Sequence, residues 1–113
     1  MKKLLIMLLI FSCGQEMLVV ETVEKETFKA LMQKDYPLID VRTPQEYDEG
    51  HIDRASNIDF NAPDFNDQIT KLDKDQPFLI YCAAGGRSAK AALLMESLGF
   101  KKVYELKGGY RSW

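Results

Sequence analysis

The chain has 113 residues, with 15 Lys+Arg against 17 Asp+Glu, a net charge of −2 and an apolar fraction of 46%. This is a globular composition of a length that suits one domain, and it is neither disordered nor collagen-like. The lack of basic excess argues against broad attraction to nucleic acid, and a single histidine with two isolated cysteines, Cys13 and Cys82, leaves neither a structural metal site nor a disulfide scaffold. No metal and no cofactor are therefore expected.

The chain opens on a basic head, Met1-Lys2-Lys3, followed by an unbroken apolar run from Leu4 to Phe11. The run is far shorter than the roughly 20 residues that span a bilayer, but it matches the charged and apolar regions of a secretory signal. Ile10-Phe11-Ser12-Cys13 resembles a bacterial lipobox, in which the signal is removed just before a cysteine whose thiol then carries the lipid. Residues 1–12 are thus expected to be a lipoprotein-type signal peptide, with Cys13 as the lipidation site. Residues 13–17 would be a short polar tether and 18–113 one domain anchored at the bacterial cell envelope, periplasmic or surface-facing. Ordinary secretion is the alternative. If Cys13 is lipidated, Cys82 is the only free thiol and has no internal disulfide partner.

Leu18–Val23 mixes β-branched and apolar residues and reads as an opening strand. Glu24–Lys34 carries Phe28, Leu31 and Met32 at helical spacing, and Pro37–Val41 is an apolar run suited to a buried parallel strand. Thr43, Pro44 and Glu46 together make a capping box with proline at the first helical position, and Gly50 ends that short helix. Ala55–Asp59 offers a further strand. Asn61-Ala62-Pro63-Asp64 then turns into a helix with Phe65, Ile69 and Leu72 on one face. After the polar loop Asp73–Pro77, Phe78–Tyr81 is the most apolar short run and is expected to be the central strand. Ser88–Leu98 is a strong helix former stopped by Gly99, and Val103–Leu106 is the last strand before Gly108-Gly109. Strands alternating with helices imply a three-layer α/β domain with a mostly parallel sheet flanked by helices.

The sharpest feature is Cys82-Ala83-Ala84-Gly85-Gly86-Arg87-Ser88, where a cysteine ends a buried strand and a small-residue loop opens a helix. The crevice beyond the carboxyl ends of parallel strands is where such sheets bind ligands. A loop of Ala and Gly leaves its backbone N–H groups open, and with the helix N-terminus behind them they can cradle an anion. The same field favours the nucleophilic thiolate at Cys82, and Arg87 adds a cation with a planar fork for an oxyanion. Singly, each element has a plain structural explanation. Jointly they describe a catalytic thiol.

Three ordered segments resemble the single-domain rhodaneses. They are Leu38-Ile39-Asp40-Val41-Arg42 with Glu46-Tyr47 and Gly50-His51-Ile52, then Tyr81-Cys82 through Arg87-Ser88, then Gly108-Gly109 with Trp113. The resemblance implies a rhodanese-like fold and a sulfurtransferase in which Cys82 cycles between thiolate and persulfide. The amides of Ala83, Ala84, Gly85, Gly86, Arg87 and Ser88 would cradle the outer sulfur, and Arg87 would bind an anionic donor such as thiosulfate. Cyanide or a thiol would accept the sulfur. Asp40, Arg42, Glu46 and His51 match positions that brace the loops. His51 also rivals as a general base, but an ionised thiol attacking sulfane sulfur needs none. Asp53-Arg54 stands where the family usually has Pro-Gly, and Ala83 where thiosulfate-using relatives often carry a basic residue.

Two other readings share the loop. A rhodanese-fold phosphatase or arsenate reductase is associated with a loop one residue longer than the four residues between Cys82 and Arg87 here. A non-catalytic interaction module often lacks the cysteine, which this chain keeps. The expected partners are therefore a small sulfur donor and acceptor, with no nucleic acid and with the domain working as a monomer.

Overall fold

The computed structural model describes residues 18–113; the expected signal segment 1–12, the lipidation site Cys13 and the tether 13–17 lie outside the described residues. Five strands, β1 (Val20–Val23), β2 (Leu38–Asp40), β3 (Ser56–Asn57), β4 (Phe78–Tyr81) and β5 (Val103–Leu106), form a sheet ordered β1-β5-β4-β2-β3. Every pairing in it is parallel, so the mostly parallel expectation resolves to a wholly parallel sheet. β4 is central, as its unbroken apolar run requires, because a parallel strand covered on both faces has no polar side.

Side-chain alternation along the strands divides the core in two. Ile39, Ile80 and Val103 face helices α3 (Phe65–Thr70) and α4 (Gly86–Ser97), packing on Phe65, Ile69, Ala91, Ala92 and Met95. Leu38, Leu79 and Leu106 face the other way, onto Phe28 of helix α1 (Lys25–Met32) and Tyr47 of helix α2 (Pro44–Asp48). Each large apolar side chain sealed in this way contributes about 1.5–3 kcal/mol relative to exposure.

Local signals account for most element ends. Thr43 and Glu46 form the reciprocal capping box that starts α2, with Pro44 in the first turn. α3 ends at Thr70, so Leu72 packs against the core from beyond the helix. β3 is only two residues long, Ser56–Asn57, shorter than the strand expected over Ala55–Asp59. α4 begins two residues earlier than expected, at Gly86, because Gly85 takes a left-handed φ of 112° and serves as its N-cap. Asp53-Arg54 keeps a tight turn without the glycine usual there: Arg54 itself adopts φ 74° and its guanidinium donates to the Met32 carbonyl at 2.9 Å.

Candidate active site

Cys82 follows the last residue of β4 at the carboxyl edge of the sheet and is 1% exposed, with its side chain on the α4 face. Loop 83–85 bends back over the sulfur, so that the Gly85 and Ser88 amides donate to Sγ at 3.1 and 3.3 Å. The Ser88 hydroxyl lies 3.4 Å from the same atom. Burial pushes the Cys82 thiol up, but Ser88, through hydroxyl and amide, and the Gly85 and Ala84 amides outweigh it and hold the thiol below its ordinary value. No Ala83, Gly86 or Arg87 amide bonds the sulfur itself. These three, the rest of the expected cradle, line the loop around it.

Arg87 stands in the first turn of α4 but turns to α2, where its two terminal nitrogens donate to the Glu46 carboxylate at 2.8 and 3.1 Å. Glu46 Oε1 also accepts from the Thr43 amide and hydroxyl. These contacts, with Arg87 first, lower the Glu46 carboxyl to about 2 despite its partial burial, while the pairing and the Cys82 charge raise Arg87. Arg87 is thus a brace between loop and helix as well as a cation near the sulfur.

Below this lies a second pair. Asp40 at the end of β2 is fully buried, and Arg42, 5% exposed, holds it through Nε and Nη2, the latter at 2.6 Å, while the Arg42 amide donates to Oδ1. Arg42 Nη2 also donates to the Gly50 carbonyl at 2.7 Å, and its guanidinium stacks over the Tyr110 ring at 4.4 Å. His51 stacks on Tyr47, and its Nδ1 lies 2.8 Å from the Tyr47 carbonyl; the contacts of its ring are structural ones. The sequence-derived site residues are therefore brought to one edge of the sheet, with His51 on its outer flank.

Several residues at this edge lie outside the expected site, although Gly108-Gly109 belongs to the third rhodanese-like segment. Gly109, with φ 63°, packs so closely on the loop that a Cβ there would lie 2.5 Å from the Cys82 carbonyl oxygen. The next two amides, Tyr110 and Arg111, donate to the Cys82 and Ala83 carbonyls at 2.8 and 2.9 Å. They bring Tyr110 and Arg111 to a cleft of about 370 Å³ that is also lined by Arg42, Glu46, Glu49, Gly50 and Ala83. Arg111 forms no ion pair among the described residues. Glu105 is another: its sequence signal is a lone carboxylate in an apolar strand, and its place is behind Ser88.

The rhodanese-like domain profile matches residues 24–113. The chain is 33% identical over 88 residues to thiosulfate sulfurtransferase GlpE of Coxiella burnetii, covering 78% of this chain and 80% of that protein. It is 40% identical over 86 residues to a tRNA uridine(34) hydroxylase of Pelagibacter ubique, covering 75% of this chain but only 29% of the hydroxylase. Among solved structures, a rhodanese-related protein of Thermoplasma volcanium superposes with a TM-score of 0.73 at 28% identity, over 82% of this chain and 89% of the other.

Proposed function

The chain belongs to the rhodanese-like domain family, and on that premise we propose that it is a sulfurtransferase working through a Cys82 persulfide. The observation that carries this reading is the buried Cys82 sulfur, hydrogen-bonded by two loop amides and acidified by them. Relatives of the family include a thiosulfate sulfurtransferase and proteins with other activities, so the donor follows from this chain's own cleft.

In the first half-reaction the Cys82 thiolate attacks the sulfane sulfur of a thiosulfate-like donor. An S–S bond forms at Sγ, the donor's own bond to that sulfur breaks, and the leaving group, sulfite for thiosulfate, departs with the electron pair. Negative charge is conserved, and the anionic outer sulfur rests among the loop N–H groups. In the second half-reaction cyanide or a thiolate takes the outer sulfur and Cys82 leaves as thiolate, which gives ping-pong kinetics. Arg87 and Arg42 are both engaged by carboxylates, so Arg111, which forms no ion pair among the described residues, supplies a cation that meets the donor in the cleft. The four-residue spacing from Cys82 to Arg87 favours a single sulfur over a tetrahedral oxyanion.

From the signal-like run Leu4–Phe11 and the lipobox-like Ile10–Cys13 we further propose that the domain sits at the bacterial cell envelope, periplasmic or surface-facing. It is held there by a lipid on Cys13 after removal of residues 1–12, and it acts as a monomer. Intact mass of the protein before and after thiosulfate, then after cyanide, tests the chemistry. A gain of one sulfur atom that cyanide removes and that Cys82→Ala never shows is the expected result. A Cys82→Ala protein that still turns over, or a wild type that takes no sulfur from any sulfane donor, overturns it.

A further inference from the structure

Glu105 is a buried ionisable group that neither the mechanism nor the two arginine–carboxylate pairs use. It sits in β5 at 4% exposure, on the strand face where Val103 packs against the apolar cluster under α4. An apolar residue would complete that cluster. A carboxylate there is costly unless it is well bonded, and among the described residues no lysine or arginine pairs with it. Its partners are two hydroxyls: Thr22 Oγ1 of β1 donates to Oε1 at 2.8 Å, and Ser88 Oγ donates to Oε2 at 2.6 Å. Oε2 also lies under the loop, 3.7 Å from where a Cβ on Gly85 would be.

The Ser88 hydroxyl has one proton and three neighbours: Glu105 Oε2 at 2.6 Å, the Gly85 carbonyl at 3.3 Å and Cys82 Sγ at 3.4 Å. A charge-assisted O–H···O⁻ bond at that distance is the strongest of the three claims. The loop amides are fixed donors to the sulfur; the hydroxyl is the adjustable one, because its contribution depends on where its proton points.

We propose that Glu105 is a positioning residue for Cys82: its carboxylate accepts the Ser88 hydroxyl hydrogen bond and so draws that hydrogen away from the sulfur. Held in this way, the hydroxyl gives the thiolate less than it would if its hydrogen were free to turn to the sulfur. The buried negative charge one hydroxyl away opposes the thiolate further. The thiolate that does form is less stabilised and therefore a stronger nucleophile towards the donor. For the same reason it is a poorer leaving group when the acceptor comes, which lengthens the life of the persulfide. This last consequence rests on the sulfurtransferase reading; the positioning itself rests only on the geometry around Cys82.

The other charged groups at this edge are Arg87 of α4 paired with Glu46 of α2, the Asp40–Arg42 pair at the end of β2, and Arg111 with Glu49 at the cleft. On β1, Glu21 is turned to Lys102, and Thr22 is what faces Glu105.

The test is the pH profile of Cys82 alkylation by iodoacetamide on the full chain, a readout that uses no sulfur donor and stands whether or not sulfur transfer does. Glu105→Gln presents an amide N–H to Ser88 Oγ and frees the hydroxyl proton for the sulfur. The midpoint should fall by about one pH unit, so that alkylation below the wild-type midpoint runs about tenfold faster. In a Ser88→Ala background the same substitution should move the midpoint less than half as far. Thr22→Val strips the carboxylate of its other donor, leaves it more dependent on Ser88 and should leave the midpoint in place or raise it. A midpoint that stays or rises in Glu105→Gln, an undiminished shift without Ser88, or a fall in Thr22→Val overturns the proposal.

Discussion

Two arginine–carboxylate pairs support the edge that carries Cys82, and they differ in little but depth. Asp40–Arg42 is sealed beneath the site, with the Asp40 side chain at 0% and that of Arg42 at 6% exposure. Glu46–Arg87 spans the rim at 34% and 26%. Water screens the rim pair and compensates either member if the other is lost. The buried pair has no such reserve, because its charges left water on folding and are compensated by each other, by the Arg42 amide, by the Gly50 carbonyl and by the Tyr110 face. The same chemistry is therefore foundation in one place and adjustable fastening in the other.

Breaking the buried pair should produce the largest effect on stability. Asp40→Ala leaves the Arg42 guanidinium buried without its carboxylate and should cost about 3–5 kcal/mol, read as a lowered urea midpoint with an unchanged slope. The rim pair should yield far less: Glu46→Gln costs about 1 kcal/mol or below at neutral pH, discounted for its exposure. Its signature is in acid. Glu46 is lowered in the folded state from 4.5 to about 2, so its contribution is fully present above about 4.5 and is lost as pH falls through about 2. Unfolding curves taken between those limits should decline in the wild type and flatten in Glu46→Gln; parallel curves would show that the two pairs do not differ as described. Smallest in stability is Arg111→Ala, within about 0.5 kcal/mol, because its cation forms no ion pair among the described residues. Its effect belongs to binding, with KM for an anionic donor rising about tenfold while kcat holds.

What the sequence discloses about this edge is whatever local chemistry writes. The capping box at Thr43 and Glu46, the apolar run of β4 and the small-residue loop after Cys82 each act over a few residues, and each appears where the chain announces it. The partners of those residues do not. Arg87 meets a carboxylate 41 positions away, and the sheet order that brings β2 and β5 to either side of β4 is what makes such meetings possible. Helix α4 starts at Gly86, two residues ahead of the Ser88 that helix propensity indicates, for a related reason. Glycine scores poorly as a helix former, yet Gly85 is what lets the loop reverse and the helix begin at Gly86. Glu105 reads as one polar letter in a strand until β1 and α4 close around it.

The close approach of Gly109 to the loop has a consequence for selectivity. A backbone curl brings its carbonyls along with its amides, and a carbonyl facing an anion repels it. Here the Cys82 and Ala83 carbonyls are drawn away by the Tyr110 and Arg111 amides, and the Gly85 carbonyl is drawn into α4 by the Ala89 amide. The repulsive ends of those peptide dipoles are thus anchored elsewhere, and the ends left facing the sulfur are the attractive ones. The preference for negative charge at this loop comes as much from where its oxygens are tethered as from the hydrogens it displays.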